Sequence, residues 1–445
     1  MCDNLSAAYV SATGITPGSG SVRAEANQDY LAARLPVADF AVGAVGVLAG
    51  AINRFLEAAG RPARDWVLRP DRVAAAFASD RLIRIDDSPI AGFAPLSGFF
   101  ETRDGWIRTH ANYPHHRARL ASVVGLDADA SRADFVAAAA DRSARELEEH
   151  AAHAGALVIR LRREDEWRRQ MWGELASHQM PIVEFDRVTG QPLTATGIDD
   201  VTRPLRGIRV LDLTRVLAGP VAGRDLALLG ADVLRVDPPS PAEIEWQHIA
   251  TGQGKRSALL DLRDDGDRQV FSRLLADADV LLTGYRPGAL SRLGIDDAPP
   301  GLVHGSVQAW EPLAQWGDRR GFDSLVQAAT GISWIEGGER PGALPVQALD
   351  HGSGHLLAAG VIDALALRIR DGGGARVRVV LERTARWLLE ASGRVAEHAV
   401  PATPGPDTLV NHQHVTTDRP ALAEYDDYPF PARPWGRDDA RWLTT

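Results

Sequence analysis

The stretch Leu205-Arg-Gly-Ile-Arg-Val-Leu-Asp-Leu-Thr-Arg-Val-Leu-Ala-Gly-Pro220 decides the fold, because a short apolar run leads into a loop and then into helical sequence. A helix is predicted over 222–229 and a second strand over 231–236. The alternation continues with a helix over 267–276 and a strand over 279–283. Strands that alternate with helices are typical of a parallel sheet covered by helices. The sequence therefore predicts an α/β fold with a Rossmann-like parallel sheet core.

Composition divides the rest of the 445-residue chain. Residues 1–35 are predicted to be a flexible leader, because Gly, Ser, Ala and Thr dominate there without an apolar period. Residues 36–200 are predicted to form a second, smaller α+β domain, which includes a hairpin turning at Asp104-Gly105. The core is assigned to 201–400, and 401–445 is predicted to be a Pro-rich C-terminal tail.

Charge and cysteine content exclude several classes of function. The chain has 49 Lys and Arg residues against 59 Asp and Glu residues, a net charge of −10, which argues against nucleic acid as the main ligand. No run approaches eighteen uninterrupted apolar residues, so no membrane span is expected. Cys2 is the only cysteine, which excludes intrachain disulfides and agrees with a cytoplasmic location. No metal cluster is expected.

Two segments share a pattern. Asp350-His-Gly-Ser-Gly354 precedes an Ala-rich apolar helix, and Asp39-Phe-Ala-Val-Gly43 precedes another. Both are Asp-x-x-x-Gly, which suggests an internal repeat. Taken alone, each Asp is equally well explained as a helix N-cap.

The loop after the first core strand invites a dinucleotide-binding interpretation, which its spacing does not support. Gly219-x-x-x-Gly223 departs from Gly-x-Gly-x-x-Gly, and Pro220 removes one backbone amide that would face a pyrophosphate. A nicotinamide-dependent enzyme is therefore disfavoured.

Six ordered motifs carry a resemblance to a known family. They are the 205–220 stretch, Leu229–Asp237, Gly254-Lys-Arg-Ser257 with Leu260-Asp-Leu262, Ala278-Asp-Val280 with Arg286-Pro-Gly288 and Arg292-Leu-Gly294, Gly321–Gly331, and the Asp350 segment. Together they resemble the family III CoA-transferases, a group that includes formyl-CoA and carnitine CoA-transferases and the α-methylacyl-CoA racemases.

The N-terminal part resembles the same family in a different order. Residues 36–185 look like the half that normally follows the aspartate motif, so the chain resembles a permuted or partly duplicated member. Thr283-Gly284 departs from the Glu-Asn usual at that point of the family. The resemblance implies an α/β core, an acyl-CoA and a carboxylic acid as substrates, and a homodimer.

The chemistry implied by the resemblance is transfer of CoA from an acyl thioester to a carboxylic acid, with no cofactor beyond CoA itself. Asp350 matches the family's nucleophile, which forms a covalent aspartyl intermediate. We expect helix amides to keep its carboxylate ionised, and Gly352 and Gly354 to leave space for the thioester. Asp39 is the competing candidate, although it lacks the preceding sheet motifs.

The resemblance also assigns the CoA-binding positions. It places the thioester beside Leu217, the adenine near Val236 and Pro238, and the phosphates near Lys255 and Arg292. Lys255 is the only lysine in the chain, which suggests that a compact ammonium is needed there.

Two alternative functions remain at this point. The first is an acyl-CoA racemase or isomerase, which Phe322 disfavours because the racemases carry a proton-transferring histidine at that position. The second is a catalytically silent subunit that binds CoA esters, which the departures from the family motifs allow.

Overall fold

The structure is a computed structural model that describes residues 2–173, 175, 180–188, 200–285, 299 and 301–443. Its helices are α1 Cys2–Thr13, α2 Val37–Ala58, α3 Pro70–Phe77, α4 Ser79–Leu82, α5 Pro114–Val123, α6 Arg132–Ala140, α7 Ala144–Ala154, α8 Glu164–Trp167, α9 Ala218–Leu228, α10 Glu245–Thr251, α11 Asp265–Ala276, α12 Asp323–Thr330, α13 Ile332–Gly337, α14 Ala348–Asp371 and α15 Leu381–Glu390.

The strands fall into one large sheet and three small ones. They are β1 Val22–Ala24, β2 Trp66–Leu68, β3 Arg84–Ile85, β4 Ser88–Pro89, β5 Gly98–Thr102, β6 Gly105–Thr109, β7 Val158–Arg160, β8 Val183–Val188, β9 Arg209–Leu213, β10 Asp232–Asp237, β11 Arg256–Leu259, β12 Val280–Thr283, β13 Val303–Gln308, β14 Gly374–Val380, β15 Leu409–His412 and β16 Val415–Asp418.

The large sheet has seven strands in the order β11-β10-β9-β12-β13-β14-β8. The first six are parallel, and β8 pairs antiparallel with β14 at the edge. Numbered from β9, the parallel strands run 3-2-1-4-5-6, the order found in doubly wound sheets. The predicted α/β class is confirmed.

Helices cover both faces of this sheet because its strands carry apolar side chains on both faces, as β9 shows. Val210 points into the core formed with α9 and α14, whereas Leu211 and Leu213 point into the core that contains Phe271 of α11. Strands buried on both faces are near-continuously apolar, which explains the run Val-Leu-Asp-Leu in β9.

Helices α2 and α14 pack against each other in the main core. Each is long and apolar enough to cross a membrane, yet 78% and 89% of their apolar windows are buried inside the protein, as expected for core helices. The residues that precede the two helices have similar backbone angles. Pro36 before α2 has φ −75° and ψ 59°, and Gln347 before α14 has φ −75° and ψ 63°.

The predicted hairpin is confirmed as β5 and β6, which turn between Thr102 and Gly105. With β7, α6 and α7 it surrounds a separate small core that contains Phe100 and Phe135. Residues 36–200 as a whole are not separate from the rest, because α2 and β8 share the main core and the large sheet with the 201–400 region.

The prediction of a flexible leader for residues 1–35 is wrong. Helix α1 packs on α2, with Leu5 and Tyr9 fully buried. The Tyr9 hydroxyl donates a hydrogen bond of 2.6 Å to Asp363 of α14, a carboxylate that also pairs with Arg54 of α2. One apolar pair spaced four residues apart is enough to anchor this short helix.

The C-terminal tail also packs on the fold. Strands β15 and β16 form a hairpin that pairs with β3. Residues 429–443 then run beside β11, the edge strand of the large sheet. The amide of Gly254 donates to the carbonyl of Phe430 at 2.8 Å, and the amide of Asp438 donates to the carbonyl of Ser257 at 2.7 Å.

Candidate active site

A cavity of about 310 Å³ opens at the carboxyl ends of the parallel strands. Its walls come from the segments that follow these strands: Arg215–Gly219 after β9, Gly284 and Tyr285 after β12, Ala309 after β13 and Leu381 after β14. The start of α14 adds Asp350. Ligands of open α/β sheets bind at this end, where the strand order reverses.

Asp350 is the third residue of α14 and is 6% exposed. It is not the N-cap, which is Gln347. Burial, and next the negative charges of Asp323 and Asp80, raise the pKa of its carboxyl well above the usual range. The expectation that helix amides keep Asp350 ionised is therefore wrong.

The amides at this helix start are instead turned towards Asp323. The backbone N–H of Asp350 donates to Oδ2 of Asp323 at 3.0 Å, and the Gln327 side chain donates to Oδ1. Asp323 is completely buried, and burial raises its pKa to about 6 in spite of these donors. The site thus holds a cluster of carboxyl groups with like charges, so ionisation of one makes ionisation of the next less favourable.

Asp80 of α4 is the third carboxyl of this cluster. It is 8% exposed, and burial raises its pKa. Its Oδ1 atom has no hydrogen-bond partner among the described residues. Asp80 comes from the N-terminal part of the chain, so both parts of the sequence contribute to the site.

Two histidines from the N-terminal part line the same region. The ring of His110 stacks on Phe322, with 3.9 Å between ring centroids and 6° between planes. His116 lines the cavity together with Asp350. Burial lowers the pKa of each imidazole to about 3, so both are neutral at physiological pH.

Leu217 lies in the wall of the cavity that contains Asp350. The preceding residue, Val216, has φ 72°, a conformation that is strained for a β-branched side chain. Its backbone N–H donates to Glu243 at 3.3 Å, which helps hold the strained turn. The loop after β9 is therefore bent so that Leu217 faces the nucleophile candidate.

Gly352 and Gly354 do not line this cavity, contrary to expectation. A Cβ at Gly352 would lie 2.2 Å from the ring of Phe40, and one at Gly354 would lie 2.6 Å from the carbonyl oxygen of Ala218. These glycines allow α2 and α9 to approach α14 closely.

The resemblance places Lys255 near the CoA phosphates, whereas the structure buries it against Asp212. Its side chain is 1% exposed, and its ammonium lies 3.1 Å from Asp212 and 3.0 Å from the carbonyl oxygen of Pro220. Burial lowers its pKa to about 8. The lone lysine therefore ties β9, β11 and the start of α9 together, which is a structural contact.

Two other predicted CoA-binding positions, Val236 and Pro238, do not line the cavity. Val236 is buried in the core on the α11 face of the sheet, and Pro238 is half-buried after the end of β10. Trp435 of the C-terminal segment lies close by, because its indole donates to Asp237 at 3.3 Å. Arg292 lies outside the described residues.

Sequence reasoning assigned no role to Asp80, Asp323, His110 or His116. Asp323 follows Phe322 inside a family motif, and the histidines flank the run Ala-Asn-Tyr-Pro-His after the hairpin. A polar cluster directly after a strand is a signal for a site. The part of the chain that the structure describes contains no group of three or more metal-ligating side chains placed to hold an ion.

Comparison with known proteins agrees with the motifs. The model of the family "CoA-transferase family III" matches residues 205–418. A probable fatty acyl-CoA transferase of Mycobacterium tuberculosis is 35% identical over 201 residues, which are 40% of this chain and 50% of that protein. A succinyl-CoA:glutarate CoA-transferase of Mus musculus is 30% identical over 208 residues, which are 42% of this chain and 46% of that protein.

A crystal structure of a Mycobacterium tuberculosis protein matches 42% of this chain and 58% of its own, with 32% identity and a TM-score of 0.39. The chain spans between about a third and a half of the length of the curated relatives it matches. The ordered motifs and the family match coincide in the segment that carries Asp350 and the six parallel strands of the large sheet. Over residues 205–418, this chain is similar to CoA-transferase family III.

Proposed function

We propose that this protein transfers CoA from an acyl-CoA thioester to a carboxylic acid through a covalent intermediate on Asp350. The observation that carries the proposal is the position of Asp350, which is buried in the wall of the cavity at the carboxyl ends of the strands, a wall that it shares with Leu217. Apart from His116, the residues that line this cavity lie within the segment that matches the family.

The proposed reaction needs only a carboxylate and the two substrates. An oxygen of ionised Asp350 attacks the thioester carbonyl, which forms a mixed anhydride and releases CoA thiolate. The thiolate attacks the aspartyl carbonyl of the anhydride, so that the donor acid leaves and an aspartyl-CoA thioester remains. The acceptor carboxylate repeats the two steps in reverse order, which forms the new acyl-CoA and regenerates Asp350.

The burial of Asp350 serves this chemistry. A buried carboxylate has fewer water molecules to lose before it attacks than an exposed one, and burial also limits hydrolysis of the activated intermediate. The same burial makes ionisation difficult, since it raises the pKa of the carboxyl. Asp350 must therefore lose its proton before the first step.

Positive charge at the cavity supports binding of the CoA phosphates. Arg215, Arg319 and Arg320 line the cavity. We infer that these arginines take the phosphate-binding role expected of Lys255, whose ammonium is engaged by Asp212. Arginine is suited to phosphate because its guanidinium donates two parallel hydrogen bonds.

Two further expectations remain part of the proposal. We propose that the protein acts as a homodimer, which sedimentation velocity tests directly. We also propose a cytoplasmic location, consistent with a sequence whose only cysteine is Cys2; fractionation of the source cells tests this.

Trapping of the intermediate tests the proposed mechanism. The protein is incubated with an acyl-CoA donor and hydroxylamine, and its peptides are analysed by mass spectrometry. We expect a hydroxamate on the peptide that contains Asp350, because only an anhydride or thioester is electrophilic enough to react.

Asp39→Ala is the matched control for Asp350→Ala, because Asp39 is the third residue of the similarly started helix α2. Asp350→Ala should abolish transfer and labelling, and Asp39→Ala should retain both. A label on the Asp39 peptide would reverse the roles of the two helices. Transfer without any label would refute the covalent mechanism, and tight CoA-ester binding without transfer would indicate a silent binding subunit.

A further inference from the structure

A second, smaller cavity lies behind Asp350, and we call it the Asp80 chamber. Its volume is about 20 Å³, and the polar residues that line it are Asp80, His110, Asn112, Gln247, Ser324, Gln347 and Asp350. Leu217 and Phe322 line both the main cavity and the chamber, so the two adjoin at the nucleophile candidate. A volume of this size holds one water-sized group.

Polar atoms in the walls of the chamber have no partners in the described part of the chain. They are Oδ1 of Asp80, Nδ1 of His110, Oε1 of Gln247 and Oγ of Ser324. Each of these residues is at most 8% exposed. Buried polar atoms are nearly always hydrogen-bonded, so four of them around one small cavity indicate that a polar group belongs inside it.

The four atoms come from four different parts of the fold. Asp80 is on α4, His110 follows β6, Gln247 is on α10 and Ser324 is on α12. Their convergence therefore cannot be a by-product of one helix or loop. It requires both the N-terminal part of the chain and the segment that matches the family.

The donors and acceptors define which polar group fits. The Gln247 atom accepts only, and Asp80 accepts when ionised, whereas the Ser324 hydroxyl both donates and accepts. An alkyl group would leave all of these atoms unpaired. A hydroxyl group can donate to one of the acceptors and accept from Ser324 at the same time.

The charge of the chamber disfavours a carboxylate as the occupant. Asp80 and Asp350 are carboxylic acids in its wall, and the residues that the structure assigns to this wall include no lysine or arginine. Its one imidazole, that of His110, is neutral. A ligand carboxylate would thus meet like charges without a counterion, which is strongly unfavourable in a buried site.

We propose that the acyl group transferred by this protein carries a hydroxyl on its second or third carbon and that the Asp80 chamber binds this hydroxyl. The inference rests on the proposed function, because it takes Asp350 as the residue that receives the acyl group. It adds a substrate class, the short hydroxyacyl-CoA thioesters, and it adds Ser324 and Gln247 as specificity-determining residues.

The test compares thioesters that differ only in the polar group. Butyryl-CoA, 2-hydroxybutyryl-CoA, 3-hydroxybutyryl-CoA and succinyl-CoA are supplied in turn, and kcat/KM for CoA transfer is measured with acetate as the common acceptor. At least one hydroxybutyryl-CoA should exceed butyryl-CoA by tenfold or more, and succinyl-CoA should be the poorest donor.

Variants then locate the origin of the preference. Ser324→Ala and Gln247→Met should each reduce the ratio of kcat/KM for hydroxybutyryl-CoA to kcat/KM for butyryl-CoA at least threefold. Ser333→Ala is the matched control, because the Ser333 hydroxyl is also buried without a partner in the described chain but does not line the chamber. It should leave the ratio unchanged. Thermal unfolding confirms that each variant is folded.

The outcomes separate this inference from the proposed function. Acylation of Asp350 at equal rates by butyryl-CoA and both hydroxybutyryl-CoAs would overturn the inference and leave the proposed function standing. A preference that survives in both chamber variants would also overturn it. Failure of all four thioesters to label Asp350 would refute the proposed function and the inference together.

Discussion

Replacement of Asp323 by asparagine tests whether the carboxyl cluster controls the nucleophile. Burial is the main cause of the raised pKa of Asp350, and the charge of Asp323 is the next. Asp323 has a pKa of about 6, so it is ionised over the range in which Asp350 loses its proton. Asp323→Asn removes that negative charge but keeps an oxygen that can accept a hydrogen bond from the backbone N–H of Asp350. In the parent protein, this nitrogen lies 3.0 Å from Oδ2 of Asp323.

The size of the effect follows from Coulomb's law. Two unit charges about 6 Å apart in a medium of effective dielectric constant about 20 interact by about 3 kcal/mol, which corresponds to about 2 pKa units. Loss of a like charge makes ionisation of Asp350 easier. We therefore expect its apparent pKa to fall by about 1 to 2 units in Asp323→Asn.

The assay is the single-turnover rate of CoA release between pH 5.5 and pH 10. In the parent protein the rate should rise with pH as Asp350 ionises, and in Asp323→Asn this rise should move to lower pH. Asp80→Asn is the matched control, with a smaller shift in the same direction because Asp80 contributes less to the pKa of Asp350. An unchanged profile, or a shift to higher pH in a folded variant, would refute the reasoning.

Three further predictions concern stability and reaction class. Lys255→Ala should lower the free energy of unfolding by about 3 kcal/mol in urea denaturation, since it leaves Asp212 buried without its counterion; a loss below 1 kcal/mol would contradict the structural role. Asp350→Asn should raise the Tm more at pH 8 than at pH 5. The reason is that a carboxyl whose pKa is raised by folding destabilises the native state increasingly as pH rises towards that pKa. An equal gain in Tm at pH 5 and pH 8 would count against the raised pKa. A 2-methylacyl-CoA in deuterated water should show no α-carbon exchange by mass spectrometry, because Phe322 cannot transfer protons and His116, with a pKa of about 3, is a weak base; deuterium incorporation would favour a racemase.

The sequence predicts the parts of the fold that depend on local pattern. The strands β9 and β10 and the helix between them follow from apolar runs and periodicity within one short stretch. The position of Asp350 at a helix start is predicted for the same reason, and Leu217 is found beside it. Helix α1 was missed because its apolar stripe is only one pair, Leu5 and Tyr9, whose burial depends on α2 and α14.

The electrostatics of the site could not be predicted in this way. Asp80 and His110 reach Asp350 only through tertiary contacts between distant parts of the chain. The lone Lys255 suggested a ligand, because nothing near it in sequence shows that Asp212 occupies its ammonium. Local pattern indicates which groups are present, whereas their pKa values depend on burial and on neighbours that the fold supplies.

The segment over residues 429–443 has a consequence for solubility. Edge strands of open sheets expose unpaired backbone groups, which invite strand addition by other molecules and aggregation. In this protein the amide of Gly254 and the carbonyl of Ser257, before and within edge strand β11, are occupied by the chain's own C-terminal segment. A chain shortened at residue 428 would keep its cavity but leave this edge open, and it would be recovered in inclusion bodies or as soluble aggregates.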